Sequence, residues 1–251
     1  MRIAVSDYDG TMFHGGQLLG DVIGGIERWR QGGDKFGIAT GRDYSMIITE
    51  IRQRNIPVDF VICLNGAAIY DADGNLLSMR FIPDSEIPVI LKHPAALASL
   101  HFQLSGTGPL RVVLGPDSWF PKLGVEYTQV TYDDALSMTK LGQISLAFRN
   151  ETDCIGWEAA LRKELGDIID PHRNKTTIDI NVIGVDKSSG ISELLRLNGW
   201  PDACVRTIGD GGNDLGMITA YSGYTVPGAQ ADVTRAARRV CADLADMLDN
   251  G

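Results

Sequence analysis

The residues Asp7-Tyr8-Asp9-Gly10-Thr11 set two carboxylates two positions apart, directly after the apolar run Ile3-Ala4-Val5-Ser6. Such a run reads as a short buried strand that ends on an acid. Side chains two apart on an extended chain share a face, so Asp7 and Asp9 point into one site while Tyr8 turns away. Gly10 permits a sharp turn and Thr11 offers a local hydroxyl. Two like charges this close repel, and they call for a cation or a shared proton. A hard divalent ion such as Mg2+ meets that need, because it takes oxygen ligands and bridges carboxylates to phosphate. The same letters also describe an ordinary turn after a strand, so the pair needs support from elsewhere in the chain.

Support comes from two further strand ends. The strand Lys35–Ala39 stops at Thr40, with Gly41-Arg42 beyond it, and the strand Cys204–Ile208 runs into Gly209-Asp210-Gly211-Gly212-Asn213-Asp214. In a parallel sheet these ends lie on one edge, the edge where open α/β folds bind ligands. Thr40 and Gly41 offer a hydroxyl and backbone N–H groups to an anion, or else a turn. The glycines after Ile208 let the backbone approach an ion, and Asp210 and Asp214 add oxygen ligands or outer acceptors. Otherwise Asp214 simply caps the helix that follows. Lys187 precedes a helix starting at Ser188 or Ser189, where the helix dipole disfavours a cation unless an anion is bound. The alternative is a solvated lysine. Asn65-Gly66 is either a plain turn or part of the lining. No Walker loop and no EF-hand is present.

The elements that must position these groups alternate. Strand 35–39 follows a helix from about Asp21 to Arg30, a second helix runs from Asp43 to about Arg54, and Phe60–Cys63 is a third strand. A hairpin is expected from Ala68–Tyr70 and Leu76–Arg80, and an irregular glycine-rich flap from Phe13 to Leu19. From about Pro83 to Val182 the pattern changes: one or two helices over 83–104, strands at Leu110–Leu114, Gln143–Phe148 and Thr177–Val182, and a helix from Asp153 to Leu165. The alternation in these strands predicts a sheet with one face exposed or differently covered. The first pattern then resumes, with 231–248 largely helical. The expected organisation is a discontinuous core, 1–82 plus 183–251, with an α+β domain, 83–182, inserted into it.

With 251 residues, 44% of them hydrophobic, the chain can bury a large core. Its formal net charge of -9 argues against a nucleic-acid partner. No signal peptide and no apolar run of membrane-spanning length is visible, so a cytoplasmic protein without membrane partners is expected. Cys63, Cys154, Cys204 and Cys241 follow no ligand spacing and read as buried free thiols. Composition does not choose between monomer and homodimer.

Taken together, Asp7–Thr11, Thr40-Gly41-Arg42, Lys187 and Gly209–Asp214 resemble the four motifs of the haloacid dehalogenase-like (HAD) hydrolases. Their order and spacing are similar to the Cof-type branch, which carries an inserted C2-type (IIB) cap. The resemblance implies an α/β fold, with a Rossmann-like parallel-sheet core and an α+β cap that selects substrate. It implies a Mg2+-dependent phosphatase acting on a small phosphorylated metabolite, foremost a sugar phosphate. Asp7 matches the nucleophile that forms an aspartyl-phosphate, and Asp9 the general acid whose carbonyl also reaches the metal. Thr40, Gly41, Lys187 and Asn213 match phosphate binders, Asp210 the metal carboxylate and Asp214 its outer support. Gly10 and Thr11 match residues that steady the first loop. In the cap, His172, Arg173 and Lys175 are the candidate substrate-facing groups; Trp119 and Trp157 either stack on a sugar or pack in the core. A sugar phosphomutase uses the same core, and a noncatalytic sugar-phosphate sensor is the rival from another class.

Overall fold

A computed structural model describes all 251 residues. The first segment supplies strand β1 (Arg2–Ser6), the small strands β2 (Phe13–His14) and β3 (Gln17–Leu18), helix α1 (Val22–Gln31), β4 (Lys35–Ala39), helix α2 (Tyr44–Arg54), β5 (Phe60–Cys63), β6 (Ala68–Asp71) and β7 (Leu76–Met79). Helix α1 begins where Asp21 accepts a hydrogen bond from the Gly24 N–H, and it buries Val22, Ile26 and Trp29. The stretch expected to be an irregular flap is a tight hairpin of β2 and β3. Its two tip residues, Gly15 and Gly16, have φ of 60° and 90°, the left-handed pair that a two-residue hairpin turn requires.

The next elements are helices α3 (Ile87–Lys92) and α4 (Pro94–Ala98), strands β8 (His101–Gly106), β9 (Arg111–Leu114) and β10 (Thr128–Gln129), helix α5 (Tyr132–Leu136), β11 (Leu141–Ala147), helix α6 (Glu151–Leu165), β12 (Ile169–Asn174) and β13 (Thr177–Val182). The six strands form one sheet in the order β10-β9-β8-β11-β13-β12. Two short helices do occupy the start of the 83–104 stretch, but from His101 onward it is a strand. Strand β11 also departs from expectation, because all seven of its residues are buried. Its alternation is nevertheless real. Ile144 and Leu146 join an apolar cluster with Phe102, Ile178 and Ile180, while Gln143 and Ser145 alternate with them and pair with each other, Nε2 to Oγ at 3.0 Å. Polar side chains satisfied in this way can be buried without a large penalty.

The chain then returns through helix α7 (Lys187–Asn198), β14 (Cys204–Gly209), helix α8 (Leu215–Ala220), β15 (Tyr224–Thr225), helix α9 (Ala231–Ala236), β16 (Arg239–Val240) and helix α10 (Leu244–Asn250). The tail expected to be largely helical is thus interrupted. Ala237 turns extended at φ -70° and ψ 141°, and Arg239 and Val240 pair with β15. Three of the four cysteines are buried free thiols, whereas Cys204 is exposed.

The large sheet runs β16-β15-β14-β1-β4-β5-β6-β7. From β16 to β5 all neighbours are parallel, and β6 turns antiparallel against β5. Successive crossovers move outward from β1 in one direction through β4 and β5, then in the other through β14 and β15. The connections that leave β1 and β14 therefore run in opposite directions, the kind of reversal at whose strand ends open α/β sheets bind ligands. Apolar residues of the strands (Ile3, Val5, Ala39, Phe60, Ile62) pack with Ile191 and Leu194 of α7 and Met217 of α8. The chain divides into two compact units. One is Met1–Gly41, Thr49–Ser78 and Asp186–Gly251; the other is Arg42–Ile48 and Met79–Val185.

Candidate active site

Asp7 is the first residue past β1, and its N–H donates to the Ile208 carbonyl at 2.9 Å, which ties it to the end of β14. Its side chain is almost wholly buried, while Asp9 is exposed. Between them Tyr8 does turn away: it is fully buried, stacks on Phe13 at 5.2 Å and donates its hydroxyl to Glu50 at 3.0 Å. The Tyr8 carbonyl accepts from the N–H groups of Met12 and Phe13, so the loop is bound to its own hairpin. Gly10 has φ +95°, and a side chain there would overlap the Asp210 carboxylate. Thr11 donates its hydroxyl to Asp210 Oδ1 at 2.8 Å. The first loop and the loop after β14 are thereby pressed together by a glycine and a threonine.

Lys187 is completely buried, with its Nζ 2.5 Å from Asp7 Oδ1 and 2.5 Å from Asp214 Oδ1. Helix α7 starts at Lys187 itself, rather than at Ser188 or Ser189, because Asp186 is the cap. The Asp186 carboxylate accepts from the Ser189 N–H at 2.7 Å, and the Ser189 hydroxyl accepts from the Asp186 N–H at 3.0 Å. This reciprocal box fixes the first turn and places a lysine inside it. Sequence reasoning passed over Asp186, although Asp-x-x-Ser is the readable signal. Asp214 in turn accepts from the Asp210 and Gly211 N–H groups at 3.0 and 2.9 Å. Burial opposes the charge on Lys187, but Asp214 and Asp7 outweigh it and hold the ammonium above the ordinary lysine range. Burial first, then the Asp214 charge, lift Asp7 well above the usual carboxylate range against the pull of Lys187. One ammonium serves two buried acids, so the site as a whole favours a further cation.

Thr40 is buried at the end of β4, with its N–H on the Ile62 carbonyl at 2.8 Å; Gly41 follows it. Its own carbonyl accepts from the Asn65 N–H at 3.0 Å. The Asn65 side chain accepts from Asn213 Nδ2 at 3.0 Å. Leu64, Asn65 and Gly66 have φ of 54°, 52° and 111°. For the two residues with side chains this left-handed backbone costs roughly 1–2 kcal/mol each. The structure thus bonds Asp7, Lys187, Asp214 and Asp210 in one set and Thr40, Asn65 and Asn213 in a second, the two adjoining at the chain neighbours Asn213 and Asp214; sequence reasoning held Asn65 open between turn and lining.

The donor set suits an oxygen-binding ion. One carboxylate oxygen each from Asp7, Asp210 and Asp214 lies within 4.8 Å of the others. Asp214 already serves Lys187 and two backbone N–H groups, so it is better suited to supporting the ion than to binding it.

The remaining candidates, His172, Arg173 and Lys175, belong to the second compact unit. His172 and Arg173 sit on β12, and Lys175 is at the hairpin tip with φ 54°. His172 Nε2 is 2.9 Å from the Val185 carbonyl. Arg173 pairs with Glu151 at 2.8 Å and with Glu158 at 3.2 Å on helix α6. Trp157 packs on the apolar cluster of this unit, and Trp119 stands edge-on to His101 at 4.7 Å.

Comparison with known proteins agrees with this architecture. The sequence profile of the haloacid dehalogenase-like hydrolases matches residues 4–246. A Haemophilus influenzae protein described as a candidate phosphatase is 24% identical over 225 residues, covering 87% of this chain and 82% of its own. The Escherichia coli 5-amino-6-(5-phospho-D-ribitylamino)uracil phosphatase is 35% identical over 83 residues, 32% of this chain and 31% of its own. Among solved structures, a haloacid dehalogenase-like hydrolase from B. subtilis superposes with a TM-score of 0.86 at 16% identity, covering 100% of this chain and 99% of the other. A HAD subclass IIB sugar phosphatase superposes with a TM-score of 0.81 at 22% identity, covering 96% and 93%. With the parallel-sheet core, the reversal at β1 and this profile match together, the chain belongs to the haloacid dehalogenase-like hydrolases, in their Cof-type branch.

Proposed function

We propose that this protein is a magnesium-dependent phosphatase that hydrolyses a small sugar or polyol phosphate through an aspartyl-phosphate on Asp7. The observation that carries this reading is the buried Lys187 ammonium shared between Asp7 and Asp214 at the end of the central strands. A phosphate drawn to that ammonium meets the Asp7 carboxylate beside it. An Asp7 oxygen attacks phosphorus, the ester P–O bond breaks, and Asp9 gives its proton to the departing alkoxide. Asp9, now a carboxylate, takes a proton from water as that water attacks the same phosphorus. The P–O bond to Asp7 breaks, which releases phosphate and restores both acids. Lys187, with N–H and O–H donors near Thr40 and Asn213, offsets charge on the phosphoryl oxygens. A bound Mg2+ would be held by the Asp7 and Asp210 carboxylates and the Asp9 carbonyl, and would neutralise negative charge where the acids and phosphate meet.

The substrate class draws support from the relatives. A sugar phosphatase and a phosphatase of a phosphorylated ribityl compound both act on phosphomonoesters of hydroxylated carbon chains. Residues 83–182 are the proposed specificity cap, with His172, Arg173 and Lys175 as its candidate contacts. A cytoplasmic enzyme, monomeric or homodimeric, completes the reading.

Phosphate release from a panel of sugar, polyol and nucleoside phosphates tests it, with wild type beside Asp7→Asn, and with Mg2+ or chelator. The expected outcome is release that needs Mg2+ and falls about a thousandfold or more in Asp7→Asn. Equal release by both proteins would remove the nucleophile. Isomerised sugar phosphate in place of free phosphate would favour a mutase, and binding without conversion a sensor.

A further inference from the structure

We infer that Asn65 is a positioning residue of the phosphate site, which holds the Asn213 amide in the orientation that presents one N–H to a phosphoryl oxygen. The inference rests on the phosphatase reading above and extends it to a residue outside the four motifs.

Three observations converge on this position. First, the Asn213 amide is anchored at its nitrogen. Its Nδ2 donates to Asn65 Oδ1 at 3.0 Å, and its Oδ1 lies against Gly211, where a side chain would crowd it. An amide nitrogen carries two hydrogens. The second one has no acceptor within the chain, and Asn213 is only half-buried. Second, Asn65 is itself held in place. Its side chain is 1% exposed, and its N–H is bonded to the Thr40 carbonyl. A single residue thereby links the turn after β4 to the loop after β14. Third, the turn is strained and tightly packed. Gly66 sits so close to α7 that a side chain would overlap the Asp186 carbonyl, and a side chain at Gly190 would overlap Gly66 and Ile62. The turn that carries Asn65 is therefore seated on the first turn of the helix that carries Lys187. A simple connection between β5 and β6 requires none of this. Strained backbone of this kind persists where the surroundings hold it in place, and it concentrates at functional sites.

The chemistry follows from fixed direction. A free asparagine side chain rotates, and it loses that freedom when a phosphate binds. One already pinned by Asn65 has less to lose, so its donor is worth more to the ligand. Asparagine also suits the position, because it tolerates the left-handed backbone better than other residues with side chains.

A double-mutant cycle on inorganic phosphate binding tests the assignment. Binding is measured calorimetrically, with and without Mg2+, for wild type, Asn65→Gly, Asn213→Ala and the double variant. Glycine takes a φ of 52° without strain, so Asn65→Gly removes the amide and keeps the turn. Asn65→Gly should weaken phosphate about tenfold in the wild-type background. With Asn213 already alanine it should weaken phosphate no more than about twofold. Equal losses in both backgrounds, or no loss in the first, overturn the inference. The Asn213 side-chain amide resonances of the wild type, assigned by their loss in Asn213→Ala, provide a second readout. One proton should exchange slowly and the other should shift on phosphate addition; two equivalent, fast-exchanging protons overturn the inference without any variant at position 65. Ester hydrolysis run in parallel separates the two readings. Coupled phosphate binding without ester turnover keeps the positioning role and removes the phosphatase. Asp7-dependent turnover with additive losses keeps the phosphatase and removes the positioning role.

Discussion

Both units carry ion pairs at their surfaces, but the unit of the large sheet also buries a lysine between two acids. In the unit of the large sheet, Lys187, Asp7 and Asp214 are sealed from solvent and lean on one another. In the other unit, the paired cations lie at or near the surface: Arg173 with Glu151 and Glu158, Arg149 with Asp117, and Arg162 with Glu158. Surface pairs of this second kind contribute little, about 0–1 kcal/mol each. Buried ions cost several kcal/mol to desolvate, and a well-packed apolar trio would often be as stable. Keeping so costly an arrangement at one strand edge is what the proposed chemistry there would call for. The second unit also buries a histidine that stays uncharged. His101 is 1% exposed, with Ser118 as partner to Nδ1 and none for Nε2, and burial lowers its pKa to about 4.

Removing the buried cation is the sharpest way to break this contrast. Lys187→Met leaves Asp7 and Asp214 without their counter-ion and should cost about 3–5 kcal/mol, read from urea unfolding, together with loss of phosphate release. A variant with native stability would show that the trio is not electrostatically coupled. His101 gives the next effect and acts through pH. Its folded pKa of about 4 lies below the 6.5 of an unfolded histidine. The unfolded chain thus takes up a proton first as pH falls, so stability is complete above pH 6.5 and is lost towards pH 4. The loss should approach about 3 kcal/mol and be absent in His101→Phe, as checked by unfolding across that range. Arg173→Ala should have the smallest effect, no more than about 1 kcal/mol by the same unfolding assay. A clear rise in KM for sugar phosphates in this variant would show that the arginine leaves its glutamates to meet substrate.

The same contrast governs how much could be read in advance. The core was legible because three of its candidate groups, Asp7, Thr40 and Asp210, stand where an apolar run gives way to a glycine turn. Asp186 escaped notice because a cap is one acid among thirty-two Asp and Glu residues, identified only by the serine three positions on. Asn65 is written as an ordinary Asn-Gly turn, and only the fold brings it against Asn213. In the second unit, β12 reads Ile-Asp-Pro-His-Arg-Asn, with one aliphatic residue and a proline. It is tolerated because β12 is an edge strand, where a missing N–H leaves no ladder bond unmade. Strand β8 reads His-Phe-Gln-Leu-Ser-Gly, so only Phe102 and Leu104 carry its apolar alternation.

The separation of Asp7 from its counter-ion also sets a timetable. The two are 180 residues apart in the chain. At roughly 5–20 residues per second, a ribosome needs on the order of 10–40 s to travel from one to the other. Throughout that interval β1 has neither β14 beside it nor an ammonium for its terminal acid. The N-terminal strands must therefore wait for nearly the whole protein before the central sheet can close. A nascent chain stalled before β14 would expose the flank of β1 that β14 later covers. Synthesis of the helix beginning at Lys187 supplies the ammonium, and synthesis of β14 just after it is the step that lets the central sheet close.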